Sequence, residues 1–432
     1  MSWIAVIGGG LAGCECAAAL ARQGLAVRLF EMKPEKFSPA HVSEGLAELV
    51  CSNSLRSDDP LSAVGLIKRE MAELGSVVME AARATQIPAG KALAVDRDKF
   101  SSLVTSAIED LPGVTVERRE VRSLDDPVLT GATKVVLAAG PLVSPELADS
   151  LREAIGGRSL YFYDAIAPVI FTDSLDMELI FSASRWQEGE GDYLNCPMEK
   201  QDYLDFHAAL LAGERVKPKA FEEVTHFEGC MPVEALAERG ENTLVFGPLK
   251  PVGLTDPRTG KRPYAVVQLR PENADRTCYN LVGFQTKLTY PEQQRIFRMI
   301  PGLARAEFAR LGSMHRNTYV EAPKVLAWNL ELLAAPGVYL AGQITGVEGY
   351  VESAACGLWL GHHLATGLTA PPEETALGAL LGHLRRPVKR FTPSNVHFGL
   401  TPELAARGNK EARKAMYAAR AQEAWLEWRR AG

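Results

Sequence analysis

Two short polar loops carry the residue type that most readily does covalent chemistry, a cysteine thiol. They are Cys51-Ser52-Asn53-Ser54 and Gly229-Cys230-Met231-Pro232. A thiol becomes a nucleophile or a base when a nearby cation or helix N-terminus lowers its pKa from about 8.5, and Arg56 and Lys250 are candidate cations. A cysteine packed in the interior behaves instead as a small hydrophobe. The residues alone leave both interpretations open for each thiol.

The first 31 residues predict a binding site for the phosphates of a dinucleotide. An apolar run, Trp3 to Ile7, ends in Gly8-Gly9-Gly10-Leu11-Ala12-Gly13, and an alanine-rich helix follows to about Gln23. This glycine spacing allows a tight turn, a close approach of pyrophosphate, and close packing of the helix on the strand. The helix N-terminus offers N–H donors and the positive end of its dipole. Glu31 ends the next strand, where a carboxylate accepts hydrogen bonds from a ribose.

Two later stretches predict that the same fold closes over the cofactor. Lys134 to Gly140 is an apolar strand that ends in small residues, and a similar strand ends in Gly342-Gln343. Gly346-Val347-Glu348-Gly349-Tyr350 then begins a helix that continues to about Gly367, with its N-terminus directed back at the cofactor. The pattern predicts an α/β protein with a Rossmann-like, two-nucleotide FAD-binding fold.

The middle of the chain differs in composition from the first part, because it is rich in tyrosine, lysine and proline. This change predicts an inserted α+β domain. Its predicted strands include Thr243–Phe246, Ala265–Leu269 and Tyr279–Phe284. The predicted domains are the first part of the FAD-binding domain (1–195), the insertion (196–322) and the second part (323–432). Thr401-Pro402 combines an N-cap with a first-turn proline, which predicts the start of a C-terminal helix. Trp425 and Trp428 are expected to pack inward from that helix.

Composition narrows the class of protein. The 432 residues are 47% hydrophobic with a formal net charge of −6, which fits a globular protein and does not indicate nucleic-acid binding by itself. No stretch reaches the ~20 apolar residues of a membrane span, and the N-terminus has no secretory signal pattern. Seven cysteines without framework spacing favour reduced thiols and a cytoplasmic location. The sequence has no Cys or His residues at the spacings typical of metal-binding motifs, so we expect no bound metal.

Several stretches resemble one family closely. They are Cys51–Arg56, Glu228–Pro232, Phe246–Leu254 and Met314–Tyr319. These stretches resemble the folate- and FAD-dependent tRNA (uracil-5-)-methyltransferases of the TrmFO type, and Gly342–Ala355 is similar to that family's C-terminal flavin motif. The glycine motif and the flavin motif are shared in part with the longer MnmG or GidA family. The resemblance extends from Gly8 to about Leu400 and departs at Phe391–Leu400, around His397.

The resemblance implies methylation of C5 of uridine 54 in the T-loop of tRNA, which gives ribothymidine. The carbon would come from 5,10-methylenetetrahydrofolate, with reduced FAD as methylene carrier and reductant and NAD(P)H as the electron source. Cys230 would add to uracil C6 so that C5 becomes nucleophilic, and Cys51 would be the second active-site thiol. The implied partners are tRNA and folate, with no membrane and no stable protein partner.

Substrate contacts are assigned provisionally to polar residues of the matching stretches and of the insertion. They are Asn53, Arg56, Lys250, Arg258, Lys261, Arg262, His315 and Arg316. For each, an ordinary solvated surface residue is the competing interpretation. A uridine must leave its base stack to reach the flavin, and this unstacking costs free energy. We therefore expect basic residues around the active site that bind tRNA phosphates.

Three other functions remain open at this point. A wobble-uridine enzyme of the GidA type has a long C-terminal helical extension, whereas this chain has only about 30 residues after Leu400. In a small-molecule FAD oxidoreductase, the cysteines would be packing residues and the basic clusters solvated surface. In a catalytically idle RNA-binding flavoprotein, replacing Cys230 would leave methylation intact.

Overall fold

The structure of the chain, a computed structural model, describes residues 2–157, 159–187, 191–216, 231–389, 391–404 and 409–431. For residues 159–165, 314–316 and 410, it describes the backbone alone. Cys230, the predicted nucleophile, lies outside the described residues, as do the side chains of His315 and Arg316.

Strands and helices alternate in the first third of the chain, and antiparallel strands dominate the middle. The strands are β1 Trp3–Ile7, β2 Val27–Glu31, β3 Ser54–Ser57, β4 Gln86–Ile87, β5 Ala92–Val95, β6 Val114–Arg118, β7 Ala132–Leu137, β8 Ser159–Ala165, β9 Val169–Phe171, β10 Phe181–Ser182, β11 Leu194–Met198, β12 Ala265–Pro271, β13 Cys278–Leu281, β14 Phe308–Arg310, β15 Met314–Val320 and β16 Val338–Leu340. The helices are α1 Leu11–Arg22, α2 Ala63–Glu73, α3 Val77–Ala84, α4 Arg97–Glu109, α5 Pro145–Ala154, α6 Lys200–Ala212, α7 Val233–Ala237, α8 Thr243–Phe246, α9 Tyr290–Phe297, α10 Ala322–Val325, α11 Tyr350–Thr366, α12 Ala376–His383 and α13 Lys410–Ala431.

A parallel sheet, in the order β16-β7-β1-β2-β6, forms the centre of the first unit. Its central residues Val6, Leu29 and Val136 have no exposed surface, as a parallel sheet covered on both faces requires. Strand β16 comes from the last third of the chain and pairs with β7, with Val338 opposite Val135. The two ends of the chain therefore build one sheet, as the sequence predicts.

Helices α1 and α11 pack backbone to backbone on this sheet. A Cβ atom placed on Gly357 would lie 2.1 Å from the carbonyl oxygen of Ala12, and one on Gly361 would lie 2.8 Å from that of Cys16. Both helices follow the carboxyl ends of parallel strands, so their N-termini lie together at one edge of the sheet. That edge is where ligands bind in doubly wound folds.

The second unit contains an antiparallel sheet in the order β10-β11-β12-β13-β9-β14. In β12, Val267 and Leu269 belong to the hydrophobic core of this unit, whereas Gln268 and Arg270 point to the opposite face. The core residues of this unit run from Ala167 to Ala306. The domain boundaries predicted from the sequence, at 195/196 and 322/323, stay a prediction.

The two units are joined by a pair of strands that cross between them. Strand β8 pairs antiparallel with β15, with Ser159 opposite Val320 and Ala165 opposite Met314. The backbone N–H of Thr318 donates to the Pro141 carbonyl at 2.8 Å, which attaches this two-stranded ribbon to the end of the nucleotide-binding sheet.

Two predicted elements are wrong. Residues 243–246 form a helical turn, α8, and not a strand. The C-terminal helix begins at Lys410, because the Asn409 side chain accepts a hydrogen bond from the Ala412 N–H, whereas the Thr401 hydroxyl donates to the Phe398 carbonyl. Trp425 is buried as predicted and donates from Nε1 to Glu73 at 2.6 Å.

No helix in the part of the chain that the structure describes has the length and apolar character of a membrane span.

Candidate active site

A cleft opens at the carboxyl edge of the parallel sheet, between the N-termini of α1 and α11. It has about 1100 Å³ of unfilled space, and its wall includes Gly8 to Ala12, Glu31, Gly140, Gly342, Gln343 and Tyr350. The residues of the predicted nucleotide site are thus brought together in one place. The predicted cofactor residues that this wall does not include are Gly13, Gly346, Val347, Glu348 and Gly349, of which Glu348 and Gly349 line an adjoining cleft.

The glycine turn of this cleft has three positions with three different surroundings. Gly8 has a φ of +105°, and a Cβ there would lie 2.6 Å from the Ala138 carbonyl oxygen. A Cβ on Gly13 would lie 1.9 Å from the Gly8 carbonyl oxygen, so the helix could not start this close to the strand. A Cβ on Gly10 would have nothing within 4 Å and would project into open space. The first and third glycines therefore shape the turn, and the second leaves room for a ligand.

The first turn of α1 presents hydrogen-bond donors to the cleft. Its N-cap, Gly10, has no side chain to accept from them. The N–H groups of the first turn of a helix have no partner within the helix, and with the helix dipole they bind anions. This arrangement fits the pyrophosphate of a dinucleotide.

Glu31 lies at the wall of the same cleft and also fixes the turn. Its Oε2 accepts from the Gly9 N–H and its Oε1 from the Lys33 N–H, each at 3.0 Å. A carboxylate can accept about four hydrogen bonds, so acceptor capacity remains for ribose hydroxyls. The ribose role of Glu31 stays a prediction.

The second glycine-rich segment joins the cleft to helix α11. Gly342 has a φ of +77°, and a Cβ there would lie 2.7 Å from the Ala12 side chain. Gly346 packs under the Phe391 ring, and Val347 is fully buried, so both support the segment from behind. Gln343 donates from Nε2 to Glu348 at 2.7 Å, which ties the start of the segment to its end.

A second cleft adjoins the first, and Cys51 lies in its wall. The two clefts share Val50, Pro141, Leu142, Gln343 and Tyr350. The second cleft is lined further by polar side chains from distant parts of the chain: Cys51, Ser52, Arg56, Arg270, Gln285, Asn317, Glu348 and Asn395. A ligand in the first cleft and a ligand in the second would meet beside the Cys51 loop.

The Tyr350 hydroxyl organises the backbone of the Cys51 loop. It accepts from the N–H groups of Cys51 at 2.7 Å and Ser52 at 3.3 Å, and it lies 3.0 Å from Cys51 Sγ. Burial, and then the charge of Cys51, raise the pKa of Tyr350 well above its usual value. The hydroxyl therefore keeps its proton.

Three arginines hold the same loop from the other side. Arg97 donates to the carbonyls of Leu49 and Val50, and Arg310 donates from Nη1 to the Val50 carbonyl at 2.7 Å. Arg270 donates from Nη2 to Ser52 Oγ at 2.7 Å and from Nε to Asn53 Oδ1 at 2.9 Å.

A single carboxylate accompanies these arginines in the described part of the chain. Glu272 Oε2 accepts from Arg97 Nε at 3.0 Å and from Arg97 Nη2 at 2.6 Å. Burial lowers the pKa of Arg270 and of Arg310, and for Arg310 the charge of Arg97 acts in the same direction. The Cys51 loop is therefore surrounded by three arginines, of which Arg270 is buried and Arg97 and Arg310 are partly buried.

Comparison with known proteins identifies the family. The family model described as Glucose inhibited division protein A matches residues 3–371. A protein of Nitratidesulfovibrio vulgaris strain Hildenborough, named methylenetetrahydrofolate–tRNA-(uracil-5-)-methyltransferase TrmFO, is 64% identical over 431 residues, which are 98% of this chain and 91% of that protein. The chain belongs to the TrmFO family. A TrmFO protein of Oleidesulfovibrio alaskensis is 62% identical over 429 residues, 98% of this chain and 96% of that one.

Solved structures place the TrmFO-family chain in the expected fold. Aquifex aeolicus GidA, in its form II crystal, superimposes with a TM-score of 0.69 at 16% identity and covers 99% of this chain and 73% of that chain. The form I crystal gives a TM-score of 0.67 at 17% identity, with 98% and 76% covered. At this identity the likeness concerns the fold alone, and it confirms the predicted Rossmann-like architecture.

The structure separates the provisional substrate residues of this TrmFO-family chain into groups. Arg56 lines the second cleft, whereas Asn53 is fully buried and its amide donates to the Val95 and Pro271 carbonyls, each at 2.9 Å. Four basic residues of the insertion line neither cleft and are exposed: Lys250, Arg258, Lys261 and Arg262. Arg258 is paired with Asp256, Nη2 to Oδ2 at 2.7 Å.

Sequence reasoning missed the charged groups that surround Cys51. It named Arg56 and Lys250 as candidate cations, but Arg56 pairs with Glu352 and Lys250 lies on the exposed surface. One signal was present for Arg270, a charged residue that directly follows the predicted strand Ala265–Leu269. Arg97 and Arg310 gave no such signal, because their shared target is brought to them only by the fold.

The remaining described thiols of this TrmFO-family chain are structural or peripheral. Cys14, Cys16, Cys196 and Cys356 are fully buried, and burial raises the pKa of each, to about 11 for Cys356. Cys278 is half-buried, and burial raises its pKa as well. Their positions agree with the packing role predicted for Cys14, Cys16 and Cys356. No group of three His, Cys, Asp or Glu side chains in the described ranges is arranged to hold a metal ion.

Proposed function

We propose that this protein methylates C5 of uridine in the T-loop of tRNA, with 5,10-methylenetetrahydrofolate as the carbon donor. TrmFO-family membership supports the reaction, and the relatives' names specify uracil C5, tRNA and the folate. The observation that carries the proposal is the position of the Cys51 loop where the two clefts meet. A base entering the second cleft would face both a thiol and a cofactor held in the first.

The first cleft fits FAD. The uncapped first turn of α1 would bind the pyrophosphate, Glu31 the ribose, and the Gly342–Tyr350 segment the part of the cofactor nearest to Cys51. When bound, FAD would supply the carrier for the one-carbon unit and the hydride that completes the methyl group. We propose that NAD(P)H reduces the flavin between turnovers.

The thiols would activate and then release the base. Uracil C5 is a poor nucleophile, so a thiolate, assigned to Cys230, adds to C6 and places an electron pair on C5. After C5 has formed its new bond to carbon, its hydrogen leaves as a proton to the thiolate of Cys51, and the electron pair of the C–H bond stays on the ring. With that pair the bond from the new carbon to its carrier can break, and once a hydride has completed the methyl group, Cys230 leaves C6 and the C5–C6 double bond is restored.

The exposed cations of the insertion are proposed to contact tRNA phosphates. Lys250, Lys261 and Arg262 are exposed and close in sequence, which fits a backbone-tracking surface. tRNA as substrate and the reduced thiols place the reaction, in our proposal, in the cytoplasm.

The test uses purified protein whose absorption spectrum shows flavin. It is incubated with an unmodified tRNA transcript, labelled methylenetetrahydrofolate and NAD(P)H. Label is expected in the T-loop uridine and is expected to vanish in Cys230→Ala and Cys51→Ala. Cys278→Ala is the matched control, because that thiol is also half-buried but lies in the second unit.

Other outcomes would point elsewhere. Oxidation of NAD(P)H without labelled tRNA would contradict the proposal in favour of a small-molecule oxidoreductase. Label at the wobble position would indicate chemistry of the GidA type. Full labelling in Cys230→Ala would refute the assigned nucleophile.

A further inference from the structure

We infer that Cys51 is held as a thiolate in the resting protein, by a hydrogen bond from the Tyr350 hydroxyl and by the positive charge of Arg97, Arg270 and Arg310. The role of the thiolate, which is to accept a proton from the bound base, rests on the proposed function. The ionisation of the thiol follows from the geometry.

The hydrogen-bond count at Tyr350 sets the direction of its contact with Cys51. A hydroxyl has one donor and two acceptor sites. Both acceptor sites are taken by the backbone N–H groups of Cys51 and Ser52, at 2.7 and 3.3 Å. Cys51 Sγ lies 3.0 Å from the hydroxyl oxygen. A neutral thiol would have to donate to an oxygen whose acceptor sites are already taken, so we infer that the hydroxyl donates its proton to the sulfur. A thiolate accepts such a bond far better than a neutral thiol, because the bond is then charge-assisted.

The arginines supply the charge that a thiolate would offset. Guanidinium groups donate to the loop at residues 49, 50, 52 and 53, on both sides of Cys51 in the sequence. Glu272 is the one carboxylate that accepts from them in the described residues, so two of the three positive charges lack a counterion there. Arg310 Nε and Nη2 are buried and have no hydrogen-bond partner among these residues.

Two other charged side chains line the second cleft, Arg56 and Glu348. Arg56 is bonded to Glu352 at 2.6 Å, and Glu348 accepts from the Gln343 amide at 2.7 Å. In the adjoining cleft, Lys33 pairs with Glu48 at 3.2 Å. Carboxylates thus offset the charges of Arg56 and Lys33, whereas Glu348 adds one negative charge to the wall of the second cleft, against the two arginine charges at the Cys51 loop that lack a counterion among the described residues. A thiolate at this place can take a proton from a bound base, which is the role that the proposed function needs.

The test measures how fast iodoacetamide alkylates each thiol as a function of pH, in the flavin-containing protein. The thiolate sulfur displaces iodide, so the rate follows the ionised fraction. After digestion with trypsin, residues 37–56 form a peptide whose single cysteine is Cys51, and residues 277–287 form one with Cys278. Cys278 is the internal reference, because burial raises its pKa.

The midpoint for Cys51 is expected below about pH 7, against about 8.5 for an ordinary thiol. Tyr350→Phe and Arg310→Gln are each expected to raise it by about one pH unit or more, which is a tenfold loss of thiolate per unit near neutral pH. Arg310→Lys keeps the charge and is expected to restore most of the shift.

Arg185→Gln is the control, because Arg185 also donates to a backbone carbonyl, that of Val252, but does not touch the Cys51 loop. A midpoint near 8.5 for Cys51 in the unsubstituted protein would overturn the inference, whatever the variants do. So would equal shifts in Arg310→Gln and Arg185→Gln. The assay needs neither tRNA nor folate, so a protein that methylates tRNA with a neutral Cys51 refutes this inference alone. A protein with a Cys51 thiolate that labels no tRNA refutes the proposed function alone.

Discussion

Arg56, in the wall of the second cleft, forms an ion pair with Glu352, with Nη1 and Oε1 2.6 Å apart. The Glu352 side chain is fully buried, while that of Arg56 is 42% exposed. Glu352 Oε1 also accepts from the Val396 N–H at 3.0 Å. One carboxylate thus joins the strand after the Cys51 loop to helix α11 and to the segment that follows residue 391.

Removing Arg56 should destabilise the protein more than removing both partners. Arg56→Met leaves a buried carboxylate with a backbone donor and no counterion, and we expect a loss of about 1–3 kcal/mol in the free energy of unfolding. Arg56→Met combined with Glu352→Gln removes the charge as well and should recover part of that loss. Urea unfolding of both single variants and the double variant measures the coupling. Strictly additive losses would show that the pair carries no coupling energy.

Alanine substitutions at Gly10 and Gly13 should have different effects on flavin affinity and on the free energy of unfolding. Gly10→Ala adds a methyl group that meets no protein atom, so unfolding of the flavin-free protein should change by less than about 1 kcal/mol while flavin affinity falls. Gly13→Ala drives a methyl group into the Gly8 carbonyl and should cost about 2–3 kcal/mol as well as flavin. Flavin titration and urea unfolding of the stripped protein measure the two effects. Unchanged flavin affinity in Gly10→Ala would contradict the phosphate site at α1.

Because of Glu70, the free energy of unfolding should decrease as the pH rises. Glu70 is buried in α2 and accepts from the Ala376 N–H at 2.9 Å and the Leu377 N–H at 2.7 Å, and burial raises its pKa to about 7. The folded protein then holds a proton that the unfolded chain releases near its ordinary pKa of 4.5. This contribution is complete below that value and is lost as the pH rises to 7.

The size of this effect can be stated and tested. Between pH 5.5 and 7.5 the free energy of unfolding should drop by about 2 kcal/mol on account of Glu70. Glu70→Gln cannot ionise and keeps one of the two acceptor oxygens, so the variant is less stable overall, but its stability should vary less over this range by that amount. The control is Glu80→Gln, a change at an exposed carboxylate of α3. Equal pH dependence in Glu70→Gln and the unsubstituted protein would refute the assignment.

The exposed cations of the insertion should affect tRNA affinity and not the chemical step. Lys250→Ala, Lys261→Ala and Arg262→Ala together should raise the KM for tRNA, and should lower the slope of log affinity against log salt by about one per lost phosphate contact. The kcat should stay the same. A triple alanine variant of Arg69, Lys99 and Arg152 loses the same charge from exposed positions of the first unit. Equal effects in the two triples would mean that net charge alone, not this surface, acts on tRNA.

The sequence predicts the parts of the site in which a local constraint fixes the residue type. Gly8 needs a positive φ and Gly13 a close approach, so their spacing alone predicts the turn. Residues 243–246, Thr-Leu-Val-Phe, have strong β propensity yet form a helical turn, because tertiary packing outweighs a propensity worth fractions of a kcal/mol per residue. The arginines at 97, 270 and 310 meet the Cys51 loop from three separate elements. No local pattern encodes that meeting.

The span between Cys51 and Tyr350 has a consequence for how the protein is made. The two residues are 299 positions apart in the chain. At a synthesis rate of about 5–20 residues per second, the thiol is made roughly 15 to 60 seconds before its hydroxyl partner. Tyr350 also begins the helix that completes the flavin cleft. On the ribosome, a growing chain therefore carries Cys51 without its hydroxyl partner, and the thiol gains that partner only when the adjoining cleft is complete.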